Sequence, residues 1–393
     1  MTAPSVAPGE RRWAIRFILS FGLVSLFADM TYEGARGSIG PLLKDLGASV
    51  AAVAIISGLG EMCAASLRFF SGRLADRTHA YWLLAVSGYT LNVLAVPGLA
   101  FVSTWHGAAI LIVMERTGKA LRGPARDLLL SEATAKVGHG WGFGLHAAMD
   151  QTGAMAGPLL MAVLIARSGH YQPAFAWLAI PAVLALLSIL LARAVRAVDA
   201  APPRATPPQA LPRVFWTYIA AAGLLACGFI DFPVLGAHFE KERLFSPAII
   251  PLLYSLAMGV NGLTAVIFGR LYDRYGLIVL TFGIALSMLA LPFGFMGGVR
   301  GAVAAVICWA TGLGVQDATL RSGIARVVSM NKRGTAFGIF NGVYGVLWFL
   351  GSAAMGLMYA HSIVALVIFG MTAQCVAAVM FAIVRRPLEA AAA

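Results

Sequence analysis

Charged residues are few in this chain, and several interrupt long apolar stretches. An ionisable group there is expensive and marks a pathway, a relay or a partner. Stretch 14–38 is interrupted by Asp29, Glu33 and Arg36, and their i, i+4, i+7 spacing places all three on one stripe of a helix. Stretch 107–130 repeats the spacing with Glu115, Lys119 and Arg122, continued by Arg126, with Arg116 roughly a quarter-turn away. Asp231 stands in 214–238, Gln316, Asp317 and Arg321 in 300–324, and His146 and Asp150 share a face of 141–166. Two kinds of chemistry follow. A carboxylate in a poorly hydrated cavity holds a proton more readily than in water and releases it when a cation approaches. Histidine changes charge near neutral pH. Asp29, Glu33, Asp231, Asp150 and His146 are therefore candidate proton-coupling groups, Asp29 first among them. Arg36, Glu115, Arg116, Lys119, Arg122, Gln316, Asp317 and Arg321 are candidate substrate or cavity groups. Alternatives stand beside these readings. Glu33 and Arg36 form either an external gate or an interfacial ion pair. Glu115, Arg116 and Lys119 hold either a substrate carboxylate or phosphate, or a charge-compensated network that fixes packing. His146 and Asp150 are a second proton site or a structural hydrogen bond. Glu61 and Arg68 are expected to pair with groups on the fourth or eleventh span, and Tyr32, Phe229, Phe232, Tyr254, Tyr344 and Trp348 to form an aromatic wall.

The elements that position these groups follow from composition. Of 393 residues, 60% are hydrophobic and 12% charged, about half the charge of an average soluble domain. Mean hydropathy is +0.82, so lipid is the solvent for most of the chain. A spanning helix needs about 20 mostly apolar residues. Twelve stretches qualify: 14–38, 48–71, 81–103, 107–130, 141–166, 174–194, 214–238, 246–269, 277–297, 300–324, 335–359 and 362–384. They are too long and too continuously apolar for barrel strands, which makes the fold all-α and polytopic. With twelve spans, most Lys and Arg fall on the side of both termini, and the other side receives Lys44, Arg167, Lys241, Arg243 and Arg300. Cationic loops stay in the cytoplasm, so both termini are expected there, in the cell inner (plasma) membrane. The net charge of +12 is this asymmetry and not a nucleic-acid surface. The first span is expected to be a retained helix, not a removed signal peptide. The Pro-containing stretch between spans six and seven reads as a linker. The expected organisation is a cytoplasmic tail at 1–13, a six-helix half at 14–194, a linker at 195–213, a second half at 214–384 and a tail at 385–393. Cys63, Cys227, Cys308 and Cys375 are isolated, giving no case for a metal site or disulfide framework.

The two halves repeat each other. Gly72-Arg73-Leu74-Ala75-Asp76-Arg77 follows span two, and Gly269-Arg270-Leu271-Tyr272-Asp273-Arg274 follows span eight. Gly140 to Gly157 in span five matches Gly334 to Gly351 in span eleven, and Asp29-(x4)-Gly34 answers Asp231-(x4)-Gly236. Paired six-helix repeats are a recurring transporter layout.

The Gly72–Arg77 loop resembles the signature between helices two and three of the major facilitator superfamily, and Gly269–Arg274 is similar to its degenerate second copy. His79 replaces the later Gly of that pattern, and no basic residues follow. Gly153-(x3)-Gly157-Pro158 resembles an element of the antiporter branch, with Met161-Ala162 where that branch has a Gly pair; close helix packing is the alternative reading. Arg116 resembles a buried arginine of another antiporter-branch motif, with Lys119 at the family's Gln position. The resemblance implies alternating access, with spans one, four, seven and ten around a central cavity. It makes Gly72, Asp76, Arg77, Gly269, Asp273 and Arg274 conformational-switch residues, whose acids pair with neighbouring Arg and with helix N-termini; the alternative is plain polar turns. With no nucleotide-binding loop in the sequence, the expected function is secondary active transport, not an enzyme activity. The leading reading is proton-coupled export of a small organic compound or metabolite, with no cofactor beyond the proton gradient. Uptake of a small organic anion by proton symport is the alternative, and a non-transporting sensor is the alternative of another class. A monomer already holds both halves of a pathway.

Overall fold

A computed structural model describes residues 8–195, 211–328 and 333–390; the side chains of residues 8, 76, 135, 139, 140, 325–327, 333, 334 and 386–390 are outside it. Most of the expected linker, 196–210, and the outer parts of both tails also lie outside the described residues. Lipid offers no partner for backbone polar groups, so the chain satisfies them internally as helices. In order these are α1 (Pro8–Asp45), α2 (Val50–Thr78), α3 (Tyr81–Gly98), α4 (Trp105–Val137), α5 (His139–Ser168), α6 (Tyr171–Trp177), α7 (Ala179–Val195), α8 (Arg213–Gly228), α9 (Phe232–Lys241), α10 (Ile249–Tyr275), α11 (Ile278–Met288), α12 (Ala290–Met296), α13 (Gly298–Val327), α14 (Arg333–His361) and α15 (Ile363–Ala390). Consecutive pairs α6–α7, α8–α9 and α11–α12 each make one crossing. Eleven crossings are long and apolar enough to span a bilayer by composition alone. The twelfth is α4, which is long enough but carries the charges of the stripe predicted there.

Where one continuous span was expected at 214–238, the helix is broken. Helix α8 stops at Gly228, and Asp231 starts α9 as its N-cap, accepting a hydrogen bond from the Phe232 amide at 2.9 Å. Pro233 explains the break, because a proline has no N–H and clashes with the carbonyl four residues earlier. The Gly72–Arg77 and Gly269–Arg274 segments are also not loops. Both are final turns of helices, α2 and α10. The chain reverses only at His79, left-handed with φ 55°, and at Gly276 with φ 68°. Arg77, Asp273 and Arg274 are exposed, and Asp273 makes no ion pair among the described residues. The Asp76 side chain lies outside the described residues.

Glycines set the closest helix contacts, symmetrically in the two halves. A Cβ on Gly153 or Gly157 would collide with the Leu26 or Met30 carbonyl of α1, and one on Gly351 would collide with the Cys227 carbonyl of α8. The Gly153–Gly157 element is thus a packing surface.

The halves meet along α2 and α14, from Ala54 against Gly356 to Phe69 against Gly338, and close over each other at the end away from the termini. There Gly40 lies against Pro233, Gly37 lies against Pro251 and Tyr254, and the Tyr171 hydroxyl donates to Glu240 at 2.6 Å. One hydrophobic core joins both halves at that end, through Phe232, Leu235, Phe239 and Trp309. At the terminal end the second half has its own core around Phe215, Tyr218, Tyr272, Ile324 and Phe381. A core split in two leaves a cleft between the halves on that side.

Candidate functional site

The cleft leads into a cavity of about 490 Å³ lined by α1, α2, α4, α5, α10, α13 and α14. Its walls include Asp29, Glu33 and Arg36 of α1, Lys119, Arg122 and Arg126 of α4, and Gln316, Asp317 and Arg321 of α13. The helical stripes predicted from spacing therefore converge on one space. Tyr32, Tyr254, Tyr344 and Trp348 also line it, while Phe229 and Phe232 stack behind the wall on Trp309 at 5.9 and 5.6 Å.

The inner end is a network of ion pairs that crosses between the halves. One Arg36 nitrogen, Nη2, lies 2.8 Å from Glu61 Oε1 and 2.9 Å from Asp231 Oδ1. Arg116 approaches the same Glu61 oxygen at 3.6 Å. The Tyr254 hydroxyl donates to Glu33 Oε2 at 2.5 Å, and Lys119 donates to Glu33 Oε1 at 3.4 Å. Helices α1, α2 and α4 are thus tied to α9 and α10 of the other half. Breaking a buried pair by removing one partner costs about 3–5 kcal/mol, so this roof holds the far end shut.

Two carboxylates differ from the rest. Asp29, 7% exposed, accepts from the Tyr32 hydroxyl, and Asp317 accepts from Asn261 Nδ2 at 3.2 Å. Neither has a cation within ion-pair distance among the described residues. Lys119 sits over the Tyr32 ring at 4.2 Å, and Arg122 stacks on Tyr89 at 4.3 Å. Cations are close to Asp29 without being bound to it.

Other predicted residues lie outside the cavity wall. Asp231 is committed to Arg36 and to the α9 cap. Glu115 accepts from Asn92 Nδ2 at 2.7 Å and pairs with Arg116 Nε at 3.1 Å, behind the wall. His146 shares a 2.9 Å hydrogen bond with Ser25 and stands 3.9 Å from Asp150, and only Asp150 reaches the cavity. Asp127 and Phe340 of the wall, and two residues that bond to backbone carbonyls, carried no sequence expectation. Gln151 donates across the halves to the Met258 carbonyl, and Trp309 Nε1 donates at 2.7 Å to the Ile230 carbonyl freed by the helix break. Gln151 was detectable as a polar residue inside an apolar span. Trp309 gave no such signal, because its partner exists only through the break.

Residues 21–352 match the family model described as Major Facilitator Superfamily. An uncharacterized protein of Mycobacterium tuberculosis is 40% identical over 390 residues, covering 97% of this chain and 95% of its own. An uncharacterized MFS-type transporter of Methanocaldococcus jannaschii is 29% identical over 144 residues, 37% of this chain and 36% of that one. Among solved structures, a POT family peptide transporter superposes with a TM-score of 0.73 at 13% identity, covering 94% of this chain and 97% of its own. The nucleoside transporter NupG superposes with a TM-score of 0.66 at 14% identity, covering 95% and 98%. At these identities the superpositions speak for the fold alone.

Proposed function

The chain belongs to the major facilitator superfamily of secondary transporters, and on that premise we propose that it exports a small organic compound or metabolite in exchange for protons, by alternating access. The observation that carries this reading is Asp29: a buried carboxylate in the cavity wall, held by a neutral hydroxyl, with Lys119 and Arg122 nearby but unpaired with it. Its charge is free to follow what enters the cavity. Lys119 links that charge to the roof, because the same ammonium holds Glu33 at 3.4 Å. Deprotonated Asp29 draws Lys119 away from Glu33. That weakens the Glu33 grip on Tyr254 across the halves and favours opening of the far end. Protonation from outside returns Lys119 to Glu33 and restores the roof. The excess of Lys and Arg in the loops on the side of the termini supports an inner (plasma) membrane protein whose termini, and hence open cleft, face the cytoplasm, with the exposed final turns of α2 and α10 as the contacts remade when the cleft closes. One chain contains both halves, so the working unit is a monomer.

The direction of transport rests on the antiporter-branch motifs. Uptake of a small organic anion with protons is the second reading, favoured by the arginines that line the open end of the cavity. Accumulation of dyes and antibiotics in efflux-deficient bacteria tests the first. Wild type is expected to lower accumulation, and a protonophore or Asp29→Asn to abolish the effect. Protonophore-sensitive uptake of a metabolite would replace export by symport.

A further inference from the structure

The open end of the cavity has cations from both halves. Arg68 of α2 and Arg321 of α13 both line it, and neither makes an ion pair among the described residues. Arg68 Nε is buried with no hydrogen-bond partner, and its guanidinium rests against Gly123 of α4, where an added Cβ would sit 3.4 Å from that nitrogen. Arg321 lines the same cavity from the other half. Two acids lie near: Asp127 is already held by Arg126 at 2.8 Å, and Asp317, one turn before Arg321, accepts from Asn261, so neither is bonded to Arg68 or Arg321. Like charges from the two halves therefore share this end with no counter-ion bonded to either, and their repulsion works against closing the cleft. The aromatic wall of Phe340, Tyr344 and Trp348 runs alongside.

We propose that the transported compound carries an oxyanion, a carboxylate or a phosphate, that binds between Arg68 and Arg321 and, by cancelling their repulsion, draws the open end shut. Planar guanidinium groups suit such bidentate partners. The aromatic wall takes the apolar body. This deepens the transport reading and rests on it, but it holds for either direction of transport.

The test reads conformation, not flux. Spin labels at Thr78→Cys and Tyr275→Cys, in protein lacking its four native cysteines, report the distance across the cleft. Benzoate and phenyl phosphate serve as probes, and benzamide is the neutral isostere. Both exposed label sites lie at helix ends. One or both anions are expected to shorten the distance in a saturable way, and the stronger one assigns carboxylate or phosphate. Benzamide is expected to leave the distance unchanged, and Arg321→Gln to raise the half-maximal concentration at least tenfold. Without any ligand, Arg321→Glu supplies Arg68 with a partner and is expected to shorten the distance, while Arg68→Glu with Arg321→Glu restores the wild-type separation. Arg321 is exposed to the cleft, so its variants fold even if those of Arg68 do not. The proposal is overturned if benzamide matches the anions, if neither anion acts, or if Arg321→Glu stays open. None of these outcomes depends on Asp29 or on a proton gradient, so failure here is separate from failure of proton coupling.

Discussion

Asp29 and Asp317 have neutral donors, whereas Glu33, Glu61 and Asp231 have cations. A carboxylate with a fixed counter-ion is part of the scaffold; one without it can be switched by its visitors. The two classes should separate in stability and in transport. Asp29→Asn keeps a hydrogen-bond acceptor for Tyr32, so its thermal midpoint should stay near wild type. In liposomes it should lose gradient-driven accumulation and keep substrate exchange. Asp231→Asn removes the charge that Arg36 needs and should lower stability by about 3 kcal/mol, the low end for breaking a buried pair. A thermal melt and an exchange assay on the same preparations would read both. If Asp29→Asn melted early and Asp231→Asn did not, their roles would be exchanged. The sequence made the cavity residues of α4 and α13 legible because a charged stripe on an apolar helix has to face something polar. It put Asp29 first but gave no sign that Asp231 is bound to a cation, since both are acids in apolar runs at matched repeat positions. Only the neighbours across the bundle distinguish them. Glu115 and His146 were legible as buried polar groups but not as groups turned toward Asn92 and Ser25, because spacing gives a face of a helix and not what that face meets.

Among the elements, eleven crossings were readable from hydrophobic length and α4 from its length with a charged stripe, while the break at residues 229–231 was masked by the apolar run around it. The break gives Asp231 a backbone amide to cap and frees the Ile230 carbonyl for Trp309. Helix ends were hard to read for a related reason: the Gly72–Arg77 pattern is polar enough to pass for a loop, yet it completes α2. The two copies then reverse the chain with different residues. Gly276 has φ 68° and ψ −147°, whereas His79 has φ 55° and ψ 11°. The first conformation is nearly restricted to glycine, and the second is tolerated by histidine at a cost. Gly276→Ala should therefore lower stability by about 1–3 kcal/mol, and His79→Gly should leave it unchanged or slightly raised, measured by thermal unfolding in detergent. Gly157→Val tests packing at the same scale. Its side chain would meet the Met30 carbonyl and the Gly34 backbone, and overpacking of this kind costs about 1–3 kcal/mol. Little folded protein and no recovery on compensating truncation at Met30 are expected, because the obstacle is backbone.

The whole molecule is asymmetric along the membrane normal: one core runs through the first half and ties the halves together at the far end, while at the other end the second half keeps a separate core of its own. Arg36 is the centre of the closed end, since one guanidinium nitrogen serves both Glu61 of its own half and Asp231 of the other. Arg36→Gln leaves those two carboxylates buried without their cation, and the cheapest relief is for the far end to open and hydrate them. The variant should therefore shift the resting population toward the opposite-facing state while remaining folded. A change of about 2.7 kcal/mol is a hundredfold change in that equilibrium, enough to invert a modest preference. Labels at Arg167→Cys and Ser246→Cys, both exposed at the far end and on different halves, should show a longer distance in Arg36→Gln, and labels across the cleft a shorter one. Opposite movement at the two ends is the signature of rocking about the cavity. A longer far-end distance with an unchanged cleft would mean that the roof had only frayed, and Arg36 would then be a local staple and not the gate.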